Sequence, residues 1–148
     1  ISAGQPLQLS ASLSLECLAV PHRDEWSDTL AFLLRGPKRS LLYLPDIDKW
    51  ERWDRRIEDV IASVDVAYVD GTFFDATELP GRAMSEVPHP FITESLARFA
   101  ALPAKERAKI VFIHLNHTNP AATPGSRAER TMEAAGMRVA KERERLAL

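Results

Sequence analysis

The sequence predicts an α/β fold in which a mixed β-sheet carries its helices on one face. Early segments alternate apolar and polar residues as strands do, and apolar residues take up helical spacing only after Asp48. Short β-branched runs then recur between the helical segments. A meander followed by strand–helix–strand–helix–strand is typical of one sheet layer with helices packed on it. The 148 residues, 45% hydrophobic and 27% charged, fit one globular domain.

The first third of the chain predicts the meander. Residues 7–19 alternate apolar with small or polar side chains, as a half-buried strand does. Residues 28–35 form a second predicted strand. The turn that begins at Gly36 leads into a third strand over residues 40–44.

The rest of the chain predicts helices that alternate with buried strands. Helical segments show apolar residues every three or four positions, whereas the strand segments are short, apolar and β-branched. Gly136 is a suitable end for the last predicted helix. The predicted segments are helix 50–62, strand 64–69, helix 92–101, strand 109–113 and helix 127–135.

Composition limits the classes of function. A formal net charge of −2 gives no electrostatic reason to expect a nucleic-acid partner. The single cysteine, Cys17, excludes an internal disulfide and fits a reducing compartment, so we expect a cytoplasmic protein. No apolar run has the length of a membrane span, and residues 1–6 lack the pattern of a signal peptide and an initiator methionine. We therefore expect the chain to be part of a longer protein.

The segment FIHLNHTNP, residues 112–120, is the most informative stretch for function. A buried strand stops at His114, and a polar turn with Asn116, His117 and Asn119 follows at once. Strand ends are where a rigid sheet presents side chains to a ligand. Two imidazoles and two amides at this place favour a ligand-binding or catalytic cluster over a capped strand with a solvated turn.

Three predicted strands end in polar residues that can bind a metal. Asp46, Asp70 and His114 follow the three apolar runs, and ligand sites lie beyond such strand ends. The loops that carry His22 and His89 can reach the same edge. Carboxylates and imidazoles without a thiol suit zinc, iron or manganese. The sequence has no Gly-x-Ser-x-Gly motif and no phosphate-binding glycine-rich loop.

Five segments resemble the C-terminal half of a metallo-β-lactamase-fold hydrolase, and most closely the group around the coenzyme PQQ synthesis protein B. These segments follow the family's order and cover nearly the whole chain. Ribonuclease Z and its phosphodiesterase relatives share the same layout more distantly. The segments are VPHRDEWSDTLAFLL, LLYLPDIDKW, VDGTFFDATELPGR, SEVPHPF and FIHLNHTNP.

The resemblance implies half of an αββα sandwich and a site with one or two divalent ions, zinc before iron or manganese. It makes Asp46 the bridging metal ligand and His114 the last metal-ligating histidine. It gives His89 a catalytic role, with Asp70 as its carboxylate partner. It also implies a final strand pair within residues 137–148. Ribonuclease Z-like members carry Glu at the position of Gly71, and the PQQ proteins usually lack the Asp at position 46.

The family's hallmark, His-x-His-x-Asp-His, is not in this sequence. We therefore expect an upstream half of the same fold to supply most of the ligands, and we expect this chain alone to be inactive. The implied function is a metal-dependent hydrolase, in which metal-activated water attacks a small-molecule substrate. The alternatives are a non-catalytic small-molecule carrier or partner-binding module and, more weakly, a ribonuclease Z-like phosphodiesterase, which the near-neutral charge disfavours.

Several of these residues also have a purely structural interpretation. Asp46 and Asp48 precede a predicted helix whose free amides an aspartate can cap, and we assign Asp48 to capping and Asp46 to the metal. Asp70 is equally compatible with a turn. His22 is equally compatible with a bond to the nearby carboxylates at positions 24 and 25.

Overall fold

The computed structural model describes residues 4–23, 25, 27–81, 83 and 86–148. In this part of the chain, seven strands form one sheet in sequence order. The strands are β1 Leu7–Ser10, β2 Leu13–Val20, β3 Thr29–Arg35, β4 Ser40–Leu44, β5 Val66–Asp70, β6 Ile110–Ile113 and β7 Arg138–Val139. The α-helices are α1 Ile57–Ala62, α2 Ile92–Phe99, α3 Ala104–Arg107 and α4 Arg127–Ala134. Short 3₁₀ turns occupy Trp50–Arg52, Ala76–Glu78 and Pro120–Ala122.

The strand directions change in the middle of the sheet. Strands β1 to β4 pair antiparallel as a meander, and β4, β5, β6 and β7 pair parallel. Because parallel strands end at the same edge, the residues after β4, β5 and β6 meet there. These residues include Asp46 and His114, and Asp70 is the last residue of β5.

One face of the sheet is covered by helices. Register pairs Leu44 with Val69 and Val69 with Phe112, and all three side chains are fully buried. Helices α1, α2 and α4 bury apolar side chains in the same core, including Ile61 and Phe99. The prediction of a mixed sheet with helices on one face is confirmed.

The opposite face of the sheet is less covered. Phe32 pairs with Tyr43 and Leu34 with Leu41, so these side chains share the face that points away from the helices. Phe32, Leu34 and Leu41 are half-buried, and Tyr43 is 42% exposed. Residues 140–146 cross part of this face and line a cavity of about 340 Å³ with Tyr43 and Leu41. Among the described residues, no helix is long and apolar enough to cross a membrane.

Three local predictions were wrong. Residues 7–19 form two strands, because a turn at residues 11–12 folds the segment into the β1–β2 hairpin. The helix predicted over 50–62 is interrupted: Trp53 has extended backbone angles of φ −79° and ψ 136°, and α1 begins only at Ile57. The final strand pair is reduced to β7, which pairs parallel with β6, since the charged residues after it continue as a non-regular tail.

Candidate metal centre

Asp70 organises the polar cluster at the edge of the sheet. Its side chain is fully buried. Oδ1 accepts hydrogen bonds from the main-chain amide of Thr72 at 2.8 Å and from its hydroxyl at 2.7 Å. Oδ2 accepts from the Ile47 amide at 3.2 Å and lies 2.9 Å from Nδ1 of His89. Asp70 is thus both the turn residue and the carboxylate partner of His89, and these contacts occupy both of its oxygens.

Gly71 explains why the carboxylate beside His89 comes from position 70. A Cβ atom at Gly71 would lie 2.9 Å from Cβ of Phe112 and 3.1 Å from the carbonyl oxygen of Ile113. The Gly71 amide donates a hydrogen bond to that same carbonyl at 2.9 Å, which holds the two strand ends close together. A glutamate at this position, as in ribonuclease Z-like proteins, would therefore require β6 to shift.

Asp46 carries an unpaired buried oxygen. Oδ1 has no hydrogen-bond partner among the described residues, although Nε2 of His22 and Nδ1 of His89 each lie 3.3 Å away. A buried carboxylate oxygen without a partner is costly, and such atoms in folded proteins call for an explanation such as an ion. A divalent cation fits this donor set, because it would bond to the carboxylate and to imidazole nitrogens together.

Two groups of candidate ligands share Asp46. Asp46, Asp70 and His114 offer ligand atoms that all lie within 4.8 Å of one another, and so do those of His22, Asp46 and His89. His114 is exposed, and its φ of 61° lies in the left-handed region, which is uncommon for a residue other than glycine. Such backbone strain is concentrated at functional sites. The structure thus brings Asp46 and His114 together on the same edge of the sheet.

The assignment of Asp48 to helix capping was wrong. The 3₁₀ turn Trp50–Arg52 has Lys49 as its N-cap, without a side-chain hydrogen bond. Asp48 is instead buried, with Oδ1 lying 3.1 Å from Nδ1 of His22 and Oδ2 accepting from Arg52 at 2.8 Å. The reason is tertiary: the Asp48 amide donates to the carbonyl of Pro21 at 2.7 Å, which places the two loops side by side.

His22 therefore joins the cluster through Asp46 and Asp48. Of the carboxylates at positions 24 and 25 that we considered for it, Asp24 lies outside the described residues. The imidazole bridges the two aspartates that follow β4, because Nε2 faces Asp46 and Nδ1 faces Asp48. His22 is thereby oriented by a carboxylate on one nitrogen while the other points at the unpaired oxygen.

The polar turn after His114 contributes structure more than ligands. Asn119 is buried, and its amide donates to the carbonyls of Gly71 at 2.8 Å and Thr72 at 3.3 Å. The main-chain amide of Asn116 also donates to the Thr72 carbonyl, at 2.9 Å. His117 is exposed and lies 3.1 Å from the side-chain oxygen of Asn116. The turn thus fixes the Gly71–Thr72 segment, and His117 lies outside both candidate ligand groups.

The carboxylates around His89 favour its protonated form. Burial opposes protonation, but the hydrogen bond and charge of Asp70, with the charges of Asp46 and Asp48, raise the pKa of His89 above its ordinary value. A group with a raised folded-state pKa stabilises the fold below its unfolded pKa, and this stabilisation is lost as pH rises through the folded pKa. The neighbouring carboxylates therefore favour the protonated imidazole of His89, which is the form that can donate a proton.

Comparisons with known proteins identify the family and the fold of the chain. A family model described as a beta-lactamase superfamily domain matches residues 1–115. The chain belongs to the metallo-β-lactamase superfamily. It is 29% identical over 120 residues to coenzyme PQQ synthesis protein B of Methylobacterium nodulans, a match that covers 76% of this chain and 38% of that protein. The crystal structure of Zn(2+)-bound PqqB from Methylobacterium extorquens shares the fold, with a TM-score of 0.78 and 22% identity.

The chain spans only part of the length of these relatives. The structural alignment includes 100% of this chain and 55% of the PqqB chain, so the chain spans about half of that solved protein and less of the curated one. The curated relative confirms the resemblance to the PQQ synthesis protein B group, and the solved structure confirms the fold.

Proposed function

We propose that the chain forms one side of a metal-dependent hydrolytic centre, with Asp46 and His114 as metal ligands. The observation that carries this proposal is the buried Oδ1 of Asp46, which has no hydrogen-bond partner in the described part of the chain and belongs to both candidate ligand groups. Zinc is the proposed metal, because carboxylate and imidazole donors suit it and because PqqB of Methylobacterium extorquens was solved with Zn(2+). Iron or manganese would find the same donors.

The residues around Asp46 have different proposed roles. A divalent cation bound there would supply Lewis-acid polarisation and activate water near neutral pH. Both oxygens of Asp70 are occupied by hydrogen-bonding neighbours, so it supports its neighbours and leaves ligation to Asp46 and His114. His89, held by Asp70, protonates the leaving group of a small-molecule substrate. His22, held by Asp48, completes the ligands on the other side of Asp46.

The centre needs further ligands, which we assign to an upstream half of the same fold. A catalytic zinc takes about three protein ligands and keeps one position open, and a two-metal site needs more. The apolar sheet face of Phe32, Leu34, Leu41 and Tyr43 supports this assignment, since a second sheet packed there would bury it and form the αββα sandwich. The hallmark His-x-His-x-Asp-His is expected on that half.

Two histidine variants test the proposed centre. His22→Ala is expected to lower the affinity for zinc by about tenfold or more, because ligands and the groups that orient them contribute at this level. His117→Ala is the matched control and is expected to bind zinc as the wild type does, because His117 lies outside both candidate ligand groups. Isothermal titration with Zn²⁺ measures all three proteins, each carrying the upstream half that supplies the other ligands. Zinc binding that is lost in His117→Ala and kept in His22→Ala would contradict the proposal.

A further inference from the structure

Thr72 stands at the junction of the two strand ends that carry the centre. Its side chain is 8% exposed and lies between the ends of β5 and β6. The hydroxyl oxygen is 2.7 Å from Oδ1 of Asp70, 3.1 Å from Nδ1 of His114 and 3.3 Å from Nδ1 of His89. One hydroxyl therefore touches a carboxylate and two imidazoles of the cluster, and nothing in the sequence patterns predicted this position.

The Thr72 hydroxyl has one hydrogen to donate, and Asp70 is its acceptor. An ionised carboxylate only accepts, and the contact with Asp70 is the shortest of the three, so the hydroxyl donates to Asp70. The same Oδ1 accepts from the Thr72 main-chain amide at 2.8 Å, which fixes that oxygen in place. With its only hydrogen committed, the Thr72 oxygen can act toward the imidazoles only as an acceptor.

The Nδ1 atoms of His89 and His114 have different nearest acceptors. Nδ1 of His89 lies 2.9 Å from Oδ2 of Asp70, a shorter contact than its 3.3 Å to the Thr72 hydroxyl. Nδ1 of His114 has its contact with Thr72 at 3.1 Å. The free lone pair of the Thr72 oxygen therefore accepts a hydrogen bond from Nδ1 of His114. This bond requires the hydrogen of neutral His114 to be on Nδ1.

We propose that Thr72 is a positioning residue of the centre: its hydroxyl accepts the Nδ1 hydrogen of His114 and so holds this imidazole in the tautomer that presents Nε2 to a metal. Metal-ligating histidines commonly donate their second ring N–H to such a partner, which fixes both ring orientation and tautomer. His114 needs this support because its backbone has a left-handed φ of 61° and its side chain is exposed. The metal-binding consequence depends on the proposed function, whereas the tautomer belongs to the chain itself.

Two substitutions separate the hydroxyl from the shape of Thr72. Thr72→Val keeps the shape and removes the hydroxyl, and Thr72→Ser keeps the hydroxyl. The tautomer of neutral histidines is measured by ¹⁵N NMR of the metal-free chain, at a pH about two units above the ordinary imidazole pKa of about 6.5. The variant His114→Asn identifies the His114 signals. We expect His114 to carry its hydrogen on Nδ1 in the wild type and in Thr72→Ser, and to shift toward the Nε2–H form in Thr72→Val. Affinity for Zn²⁺ should fall about 10- to 100-fold in Thr72→Val and recover in Thr72→Ser.

The tautomer of His114 in the wild type tests the proposal even if Thr72→Val fails to fold. A wild-type His114 with its hydrogen on Nε2 overturns it. An Nδ1–H tautomer and an unchanged zinc affinity in a folded Thr72→Val variant overturn it as well. If the tautomer depends on Thr72 but the protein that carries the upstream half does not bind zinc, the positioning role stands and the proposed metal function is wrong.

Discussion

Replacing Asp46 with alanine is expected to lower zinc affinity by more than about 100-fold, since losing only a supporting partner already costs about 10- to 100-fold. Asp46 belongs to both candidate ligand groups, so its loss removes a donor from each. At a pH where His89 is neutral, the metal-free protein should be as stable as the wild type or more stable, because the variant removes a buried oxygen that has no hydrogen-bond partner among the described residues. This combination distinguishes a metal ligand from a structural carboxylate.

Zinc titration of the protein that carries the upstream half and urea denaturation of the metal-free protein at alkaline pH measure the two effects. Asp54→Ala is the control, because Asp54 is an exposed aspartate outside both ligand groups. It should bind zinc and unfold as the wild type does. If Asp46→Ala keeps the wild-type affinity for zinc, Asp46 is not a ligand. If it instead loses stability without metal at this pH, the oxygen is paired with the imidazole of His22 or His89, each 3.3 Å away.

Asp70→Ala is expected to give the opposite pattern, with a large loss of stability in the metal-free protein. Asp70 is fully buried and receives the hydrogen bonds of Ile47 and Thr72 beside its contact with His89. Its removal leaves buried donors without an acceptor and His89 without the carboxylate that raises its pKa. Breaking a buried charged pair in this way costs about 3–5 kcal/mol of the free energy of unfolding.

Urea denaturation of the metal-free protein measures this loss, and Asp46→Ala is the matched comparison. Both variants remove one aspartate from the same edge of the sheet, but only Asp70 has its oxygens hydrogen-bonded by the protein. A decrease below about 1 kcal/mol in Asp70→Ala, the size of one ordinary hydrogen bond, would show that the cluster does not depend on this carboxylate.

The convergence of the site could be predicted because its signals are local. Asp46, Asp70 and His114 each follow an apolar run, and parallel strands bring such ends to one edge without further information. The helix over residues 50–62 could not be predicted correctly, because Trp53 and Ile57 are buried on either side of a break in the helix. Their spacing reports burial, and burial alone does not require a continuous helix.

The supporting residues could not be predicted because their contacts are tertiary. Asp48 orients His22 only because the loops at Pro21 and Asp48 lie side by side, which no sequence pattern records. Thr72 shows the same limitation, since its importance comes from His114, 42 positions away. Gly71 was noted only as a departure from related proteins, and its reason is the close approach of Phe112.

The location of zinc in crystals of the zinc-loaded protein tests the central claim most directly. Anomalous scattering at the zinc edge identifies the ion independently of the protein atoms. The account predicts a peak about 2.0–2.2 Å from a carboxylate oxygen of Asp46 and about 2.0–2.1 Å from a nitrogen of His114. Zinc peaks confined to His117 or to other surface groups, with Oδ1 of Asp46 still unligated, would contradict it.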